Sequence, residues 1–242
     1  MPEAKQIFLT AEWRDLAMLN FEVNPSLLQR YVPAGTVLDS FAGKTYVSLV
    51  GFCFDKTRLW GKISVPLHTE FEEVNLRFYV RRLTGGEVRR GVCFIAEIVP
   101  RRAIAWTARL MYGENYRRFP MKHQIIQRGP GRFAEYGWRV AARNCRMFAE
   151  TTALASLPNE GSLEQFITEH YWGYSRQRSG GSVEYRVAHE RWRAAVATNA
   201  GFEGDPTAIY GTAFAEILRL KPASAFLADG SSVEVFAGEK VS

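Results

Sequence analysis

Cysteine is scarce in this sequence, and no long uncharged segment occurs. The chain of 242 residues contains three cysteines, Cys53, Cys93 and Cys145. Their odd number and wide spacing argue against a disulfide framework or a zinc knuckle, and they indicate reduced thiols in a cytoplasmic protein. No uncharged stretch reaches the roughly 20 residues that a membrane-spanning helix needs. The first residues, MPEAKQIFLT, carry charges and no apolar segment, so we expect no signal peptide.

Motifs that would reveal a known chemistry are also missing. The four histidines form neither an HExxH motif nor a close pair, so we predict no metal site and no cofactor. These histidines are His68, His123, His170 and His189. A G-x-S-x-G nucleophile motif does not occur either.

The composition describes a globular, basic chain. Hydrophobic residues make up 47% and aromatic residues 13%, which is enough for a substantial core. The net charge is +6, but the arginines are scattered and no nucleic-acid-binding signature accompanies them, so we predict neither a nucleic-acid nor a membrane partner. Because the chain has no repeat and no linker, residues 1–242 are predicted to form one domain. A homodimer is an open alternative for a fold rich in strand edges.

The periodicity predicts many strands and a few short helices. The clearest hairpin joins 71–82 to 88–99 through Gly85-Gly86. Short helices are predicted after Asn24 and Ser162, from 101 to 112, and from Asp205-Pro206 to about Leu218. Further strands are predicted at 6–23 (broken near Glu12), 36–41, 45–55, 122–128, 132–140, 143–153, 171–178 and 183–198, and the end of the chain is predicted as a hairpin or a tail. This pattern indicates a mainly β, α+β fold, an antiparallel barrel that is closed or partly closed.

One strand alternates almost without interruption. Val74, Leu76, Phe78 and Val80 share one face, and the opposite face carries the polar residues Glu73, Asn75, Arg77, Tyr79 and Arg81. Periodicity alone favours a polar face that meets water. If this face lined a barrel interior instead, its carboxylate, amide, guanidinium and phenol would suit a small polar anion.

Three stretches resemble the YqjF-like family of uncharacterised conserved proteins. They are Glu73–Val80, Gly91–Met121, and Glu169–Tyr174 with the later His189–Trp192. This resemblance implies an acetoacetate-decarboxylase-like fold and no established activity.

The same stretches are distantly similar to acetoacetate decarboxylase itself. The similarity places Arg14 at that family's site arginine and Glu73 at its site glutamate. Phe119-Pro120-Met121-Lys122 resembles the element in which two lysines follow the proline, the first of them forming the Schiff base. Here that first position is Met121, and a thioether cannot attack a carbonyl, so the parent mechanism is not expected.

Three functions remain open from the sequence. The first is a protein that binds a small carboxylate or carbonyl compound through Arg14, Asn75, Arg77 and Tyr79, without the Schiff-base lysine. The second is a non-covalent enzyme for proton transfer, hydration or decarboxylation of a small keto compound, with Glu73 as acid or base and Arg14 or Arg77 stabilising an enolate. Lys122 could take part only if it pointed inward. The third is a scaffold or partner-binding protein with a filled core.

Overall fold

The computed structural model describes residues 6–60, 63–64, 70–100, 115–177 and 180–241, and most of this part of the chain is β-structure. The first eight strands are β1 Ile7–Val23, β2 Val37–Leu38, β3 Thr45–Leu59, β4 Ile63–Ser64, β5 Phe71–Thr84, β6 Glu87–Val99, β7 Tyr116–Arg118 and β8 Met121–Arg128. The others are β9 Gly131–Val140, β10 Arg143–Glu150, β11 Trp172–Arg176, β12 Ser182–His189, β13 Ala194–Val196, β14 Asn199–Glu203, β15 Ser224–Phe236 and β16 Glu239–Val241. The helices are α1 Pro25–Leu28, α2 Leu163–Thr168, α3 Thr207–Tyr210 and α4 Thr212–Leu218, and a single 3₁₀ turn spans Gln29–Tyr31.

The larger sheet curves back on itself. Its strands follow the order β15, β1, β3, β5, β6, β11, β12, and β12 also pairs with β15. Two of these junctions are short, because β6 meets β11 only at Gly91–Trp172 and Val92–Gly173, and β12 meets β15 only at Val187–His189. The result is a partly closed barrel of mainly antiparallel strands, in agreement with the predicted fold class.

A second sheet, in the order β14, β10, β9, β8, packs on the outer face of the barrel. The two sheets are in close contact at Gly51 of β3, where an added Cβ would lie 2.5 Å from Cδ2 of Tyr136. Leu49, Leu76 and Met147 are fully buried in the layer between the sheets. The apolar face of β5 therefore packs against the second sheet, which leaves its polar face for the barrel interior.

Several predicted elements are confirmed, because their signals are local. The hairpin of β5 and β6 turns at Gly85 and Gly86, whose φ angles of 57° and 78° fit a two-residue loop with left-handed residues. The side chain of Asn24 accepts a hydrogen bond from the Ser26 N–H and caps α1. Ser162 caps α2 in the same way through the N–H of Gln165. The predicted strands in the second sheet also form, as β8, β9 and β10.

Other predictions of where elements continue or end were wrong, because contacts between distant parts of the chain decide these boundaries. β1 is continuous through Glu12, although its pairing with β3 shifts register between Thr10 and Glu12, and it has a bulge at Asp15, whose φ is 57°. The strand predicted at 183–198 ends at His189 and resumes at Ala194. The last helix is split at Gly211, whose φ is 80°.

The end of the chain forms neither a hairpin nor a tail. β15 pairs along most of β1, with β13 and with β12, so this strand joins the two ends of the curved sheet. The helix predicted at 101–112 lies outside the described residues. Among the residues that the structure describes, no helix is long and apolar enough to cross a membrane.

Candidate functional site

The barrel encloses a cavity of about 160 Å³. Most of its wall is apolar and aromatic. Phe54 and Phe71 stack with their ring centroids 4.5 Å apart, and Trp13 meets the edge of Trp192 at 6.1 Å. A cavity of this volume accommodates a molecule of about the size of benzene. Its walls therefore suit the body of a small, partly apolar compound.

Polar side chains gather on the part of the wall that β5 and β6 form. Glu73, Asn75 and Arg77, the first three polar residues predicted on β5, all line the cavity and are buried. Glu97 of β6 lies opposite Asn75 in the sheet, and Tyr116 of β7 lies opposite Glu97. Side chains opposite one another in neighbouring strands project from the same face, so the five groups form one polar patch on an apolar wall.

Glu73 lies at the centre of this polar patch. One carboxylate oxygen accepts a hydrogen bond from Asn75 Nδ2 at 3.1 Å, and the other accepts one from Tyr116 Oη at 3.4 Å. Burial raises the pKa of Glu73 from 4.5 to about 7, and the two hydrogen bonds and the charge of Arg77 offset part of that effect. Near neutral pH, Glu73 is therefore present in both its protonated and its ionised form.

Arg77 is a buried cation without a carboxylate partner among the described residues. Its Nη2 donates to the backbone carbonyl of Ile167 at 3.3 Å, whereas its Nε has no hydrogen-bond acceptor within the described part of the chain. Arg90, on the neighbouring strand, is instead paired with Asp39 at 2.7 Å. A guanidinium stays charged at any physiological pH, and burying an unpaired charge costs several kcal/mol. The site therefore favours an anion beside Arg77.

Two histidines complete this region, and neither was predicted as a site residue. His170 is fully buried between Tyr79 and Phe166, and its pKa is lowered by burial and then by the charges of Arg90 and Arg77. The ring of His189 stacks on Trp192 at 4.3 Å. Both imidazoles line the cavity, and burial also lowers the pKa of His189. Both histidines are therefore neutral at pH 7.

Among the described residues, the other predicted site residues lie away from the cavity wall. Tyr79 is buried outside the cavity, with its ring against Phe166. The hydroxyl of Tyr79 lies 2.6 Å from Ser48 Oγ. Its ring packs 4.7 Å from that of His170, so Tyr79 supports the wall from behind.

The prediction that Arg14 enters the pocket needs correction. The neighbouring residue Trp13 faces the cavity, so Arg14 points to the outer face of β1. There it binds the carboxylate of Glu12 through Nε and Nη2, and its side chain is 44% exposed.

The proposed Schiff-base region also lies away from the cavity. Met121 begins β8 in the second sheet and packs against the buried layer between the sheets. Lys122 is exposed and lies along Gly137 of the neighbouring strand. The described residues that line the cavity include no lysine. Lys122 is therefore not placed to act on a ligand there.

The barrel has an acetoacetate-decarboxylase-like fold. An acetoacetate-decarboxylase-like enzyme from Sphingomonas wittichii RW1 superposes with a TM-score of 0.68 at 12% identity, over 96% of this chain and 92% of that chain. Acetoacetate decarboxylase from Legionella pneumophila gives 0.65 at 12% identity, over 100% and 92%. The enduracididine biosynthesis enzyme MppR complexed with pyruvate gives 0.69 at 13% identity, over 99% and 92%.

At the level of sequence, the model of the DUF2071 family matches residues 10–232 and is described as an uncharacterized conserved protein. The chain belongs to this family, which confirms the predicted resemblance to uncharacterised conserved proteins of this fold. No protein with a curated description matches the sequence.

Proposed function

We propose that this protein binds a small organic acid in the barrel cavity. In this proposal Arg77 pairs with the carboxylate, Glu73 and Asn75 hold a neighbouring carbonyl oxygen, and the aromatic wall encloses the rest of the molecule. The observation that carries the proposal is the buried guanidinium of Arg77, whose Nε has no hydrogen-bond partner among the described residues. A carboxylate would supply the missing charge and the missing acceptor together.

The rest of the wall supports the same ligand class. Nδ2 of Asn75 donates one N–H to Glu73, and the same amide group carries a second N–H that can donate to a ligand oxygen. Protonated Glu73 offers one hydroxyl donor, which fits a ligand carbonyl. The MppR enzyme, which shares the fold, is complexed with pyruvate, a keto acid of this kind.

Thermal unfolding with a panel of small acids tests this proposal. The panel contains pyruvate, phenylpyruvate, benzoate and their neutral amides. An acid that binds only the folded protein, at a hundred times its dissociation constant, adds about 2.7 kcal/mol to the free energy of unfolding. We expect at least one acid to raise the melting temperature of the wild type and of Arg14→Ala, the matched control outside the cavity.

The variant Arg77→Met keeps the length of the side chain and removes its charge, so the same acid should no longer stabilise it. An acid that stabilises Arg77→Met as much as the wild type would refute the role of Arg77. If no acid stabilises the wild type, the scaffold hypothesis replaces binding.

A second candidate function is non-covalent proton transfer beside a carbonyl. The pKa of about 7 for Glu73 favours it, because a general acid or base is most effective when its pKa lies near the working pH. In heavy water, this reaction would replace hydrogen by deuterium at the carbon next to the carbonyl of the bound keto acid. Proton NMR would detect the exchange as the loss of that proton signal. We expect Glu73→Gln to bind the keto acid and to lose the exchange. Equal exchange in wild type and Glu73→Gln would exclude Glu73 as the base.

A further inference from the structure

The cavity wall contains a polar side chain that the proposed function does not use, the imidazole of His170. Its ring centroid lies 4.7 Å from that of Tyr79, and it packs edge to face against Phe166 at 5.4 Å. The guanidinium of Arg77 lies over the same Tyr79 ring, 5.8 Å from its centroid. Arg77 and His170 both line the cavity, whereas Tyr79 does not, so one aromatic ring supports both polar groups from behind.

The imidazole of His170 has no hydrogen-bond partner within the described part of the chain. Neither Nδ1 nor Nε2 makes a hydrogen bond there, although only 7% of the residue is exposed. The carbonyl of Ile167 is near the ring and offsets part of the lowering of the His170 pKa, but it accepts its hydrogen bond from Nη2 of Arg77. A buried polar group without a partner is costly, so a ligand that supplies one gains affinity.

Neighbouring polar groups of this part of the wall are already satisfied by the protein. The hydroxyl of Thr168 donates to the carbonyl of Glu164 at 2.7 Å. Nδ1 of His189 lies 2.7 Å from the carbonyl oxygen of Glu190. Among the described side chains here, the imidazole of His170 therefore joins the guanidinium of Arg77 as a group that a ligand can satisfy.

The surroundings of His170 favour an uncharged ligand group. Burial and then the charges of Arg90 and Arg77 lower the pKa of His170, so the imidazole is neutral, with one nitrogen that donates and one that accepts. The guanidinium of Arg90 lies over the ring of Phe166, on which His170 also packs, so a ligand ammonium would meet repulsion. A second carboxylate would be buried without a cation of its own. A hydroxyl group is uncharged and both donates and accepts, which matches a neutral imidazole.

The order of side chains along β5 indicates where this hydroxyl lies on the ligand. Asn75 and Tyr79 follow the same face as Arg77, two residues before it and two residues after it. His170 packs on Tyr79, so it lies on the other side of Arg77 from Asn75. A carboxylate beside Arg77 therefore has the amide on one side and the imidazole on the other. A hydroxyl on the carbon next to the carboxylate reaches the imidazole while the rest of the molecule extends past Asn75.

We propose that the acid bound in the cavity is a 2-hydroxy acid, whose hydroxyl hydrogen-bonds to His170 while its carboxylate pairs with Arg77. This inference rests on the proposed function and narrows its ligand class. His170 is then a specificity-determining residue of the same site, and the aromatic wall holds the remaining substituent of the acid.

Titration calorimetry near pH 6 with matched pairs of acids tests the inference. The pairs are lactate and propionate, mandelate and phenylacetate, and phenyllactate and 3-phenylpropionate, and the members of each pair differ by one hydroxyl. A hydrogen bond made in a buried site strengthens binding by about tenfold, so in at least one pair the wild type should bind the hydroxy acid about ten times more tightly. His170→Phe keeps an aromatic ring against Tyr79 and Phe166 and removes both nitrogens. It should bind both acids of that pair as the wild type binds the acid without the hydroxyl.

His123→Phe provides the matched control, because it makes the same substitution in β8, outside the cavity. This variant should keep the tenfold preference. Nitrogen NMR of the wild type gives a second readout that needs no change at His170. The hydroxy acid should shift the imidazole nitrogen signals of His170 more than the matched acid without the hydroxyl does.

Three results would overturn the inference and leave the binding proposal intact. The first is equal binding of both acids by the wild type in every pair, with equal shifts of the His170 signals, which would show that water serves the imidazole. The second is a preference for the hydroxy acid that persists in His170→Phe. The third is a folded His170→Phe that binds neither acid, which would make the ring a structural support. Binding of no acid by the wild type would instead refute the proposed function, and this inference with it.

Discussion

Replacing Glu73 by glutamine should make the protein more stable above neutral pH. Glu73 is buried, and its pKa rises from 4.5 to about 7 on folding. The folded protein therefore holds this proton more tightly than the unfolded chain does. The penalty for ionising Glu73 is absent below about pH 4.5, grows as the pH rises, and is complete above pH 7.

The size of the effect follows from the rise in the pKa of Glu73. A tenfold change in an acid dissociation constant corresponds to about 1.36 kcal/mol, so a pKa that rises from 4.5 to about 7 corresponds to about 3 kcal/mol. Glutamine has nearly the same shape and no charge. Its carbonyl can still accept the hydrogen bond from Asn75, and its NH₂ group can donate to the hydroxyl of Tyr116. We expect Glu73→Gln to equal the wild type near pH 4.5 and to exceed it by about 3 kcal/mol near pH 8.

Urea unfolding of both proteins across this pH range measures the difference. The comparison with wild type removes the contributions of groups that do not interact with Glu73, including the buried His170, whose lowered pKa acts in the opposite direction. The exposed Glu160 provides a matched control, because Glu160→Gln should leave the pH dependence unchanged. A difference between Glu73→Gln and wild type that stays constant from about pH 4.5 to about pH 8 would refute the raised pKa.

Three other predictions follow from the same structure. Gly51→Ala should lower the free energy of unfolding by roughly 1–3 kcal/mol, because its Cβ would meet the ring of Tyr136 at 2.5 Å. Gly137→Ala should be nearly neutral in the same unfolding assay, because its Cβ would make contacts no shorter than 3.4 Å, with the flexible chain of Lys122 and the carbonyl oxygen of Cys145. Borohydride with acetoacetate should leave no covalent mass on the exposed Lys122, and an adduct there would contradict the placement of that residue. The affinity for a bound acid should fall as the pH rises through about 7, because ionised Glu73 would repel the ligand carboxylate. Calorimetry between about pH 6 and about pH 8 measures this change. A constant affinity over that range would count against contact between Glu73 and the ligand.

Local signals in the sequence were sufficient for much of the barrel. The glycine pair at 85 and 86 specifies the turn of the β5–β6 hairpin, and Asn24 and Ser162 cap their helices as predicted. The alternation along β5 correctly separated its two faces. It could not show which face meets the cavity, because that depends on the second sheet, which covers the apolar face.

Strand geometry explains two differences between the predicted and the observed site. The similarity to acetoacetate decarboxylase placed Arg14 in the pocket, but successive residues of a strand face opposite ways, and here Trp13 faces inward. On β6, the register set by the turn would place Ala96 opposite Asn75. A bulge shifts the pairing by one residue and brings Glu97 there instead. The sequence around this bulge carries no signal for it.

The two histidines of the cavity were not predicted as site residues, for a different reason. His170 follows α2 and His189 ends β12, and each is a lone histidine in the sequence. Both belong to stretches that carry the family resemblance, and this is the signal that could have identified them. The approach of His170 to Arg77 depends on how α2 packs over the barrel, and the position of His189 depends on how β12 joins the curved sheet; no local pattern specifies either.

Titration calorimetry with one acid and its neutral amide tests the central claim most directly. The acid is whichever one stabilises the wild type, and both ligands are measured near pH 6 on wild type and Arg77→Met. Hydrogen bonds to charged groups contribute about 1.5–3 kcal/mol, so the wild type should prefer the acid over its amide by at least tenfold. The account predicts that this preference disappears in Arg77→Met. An equal preference in both proteins would show that another group binds the carboxylate and would contradict the account.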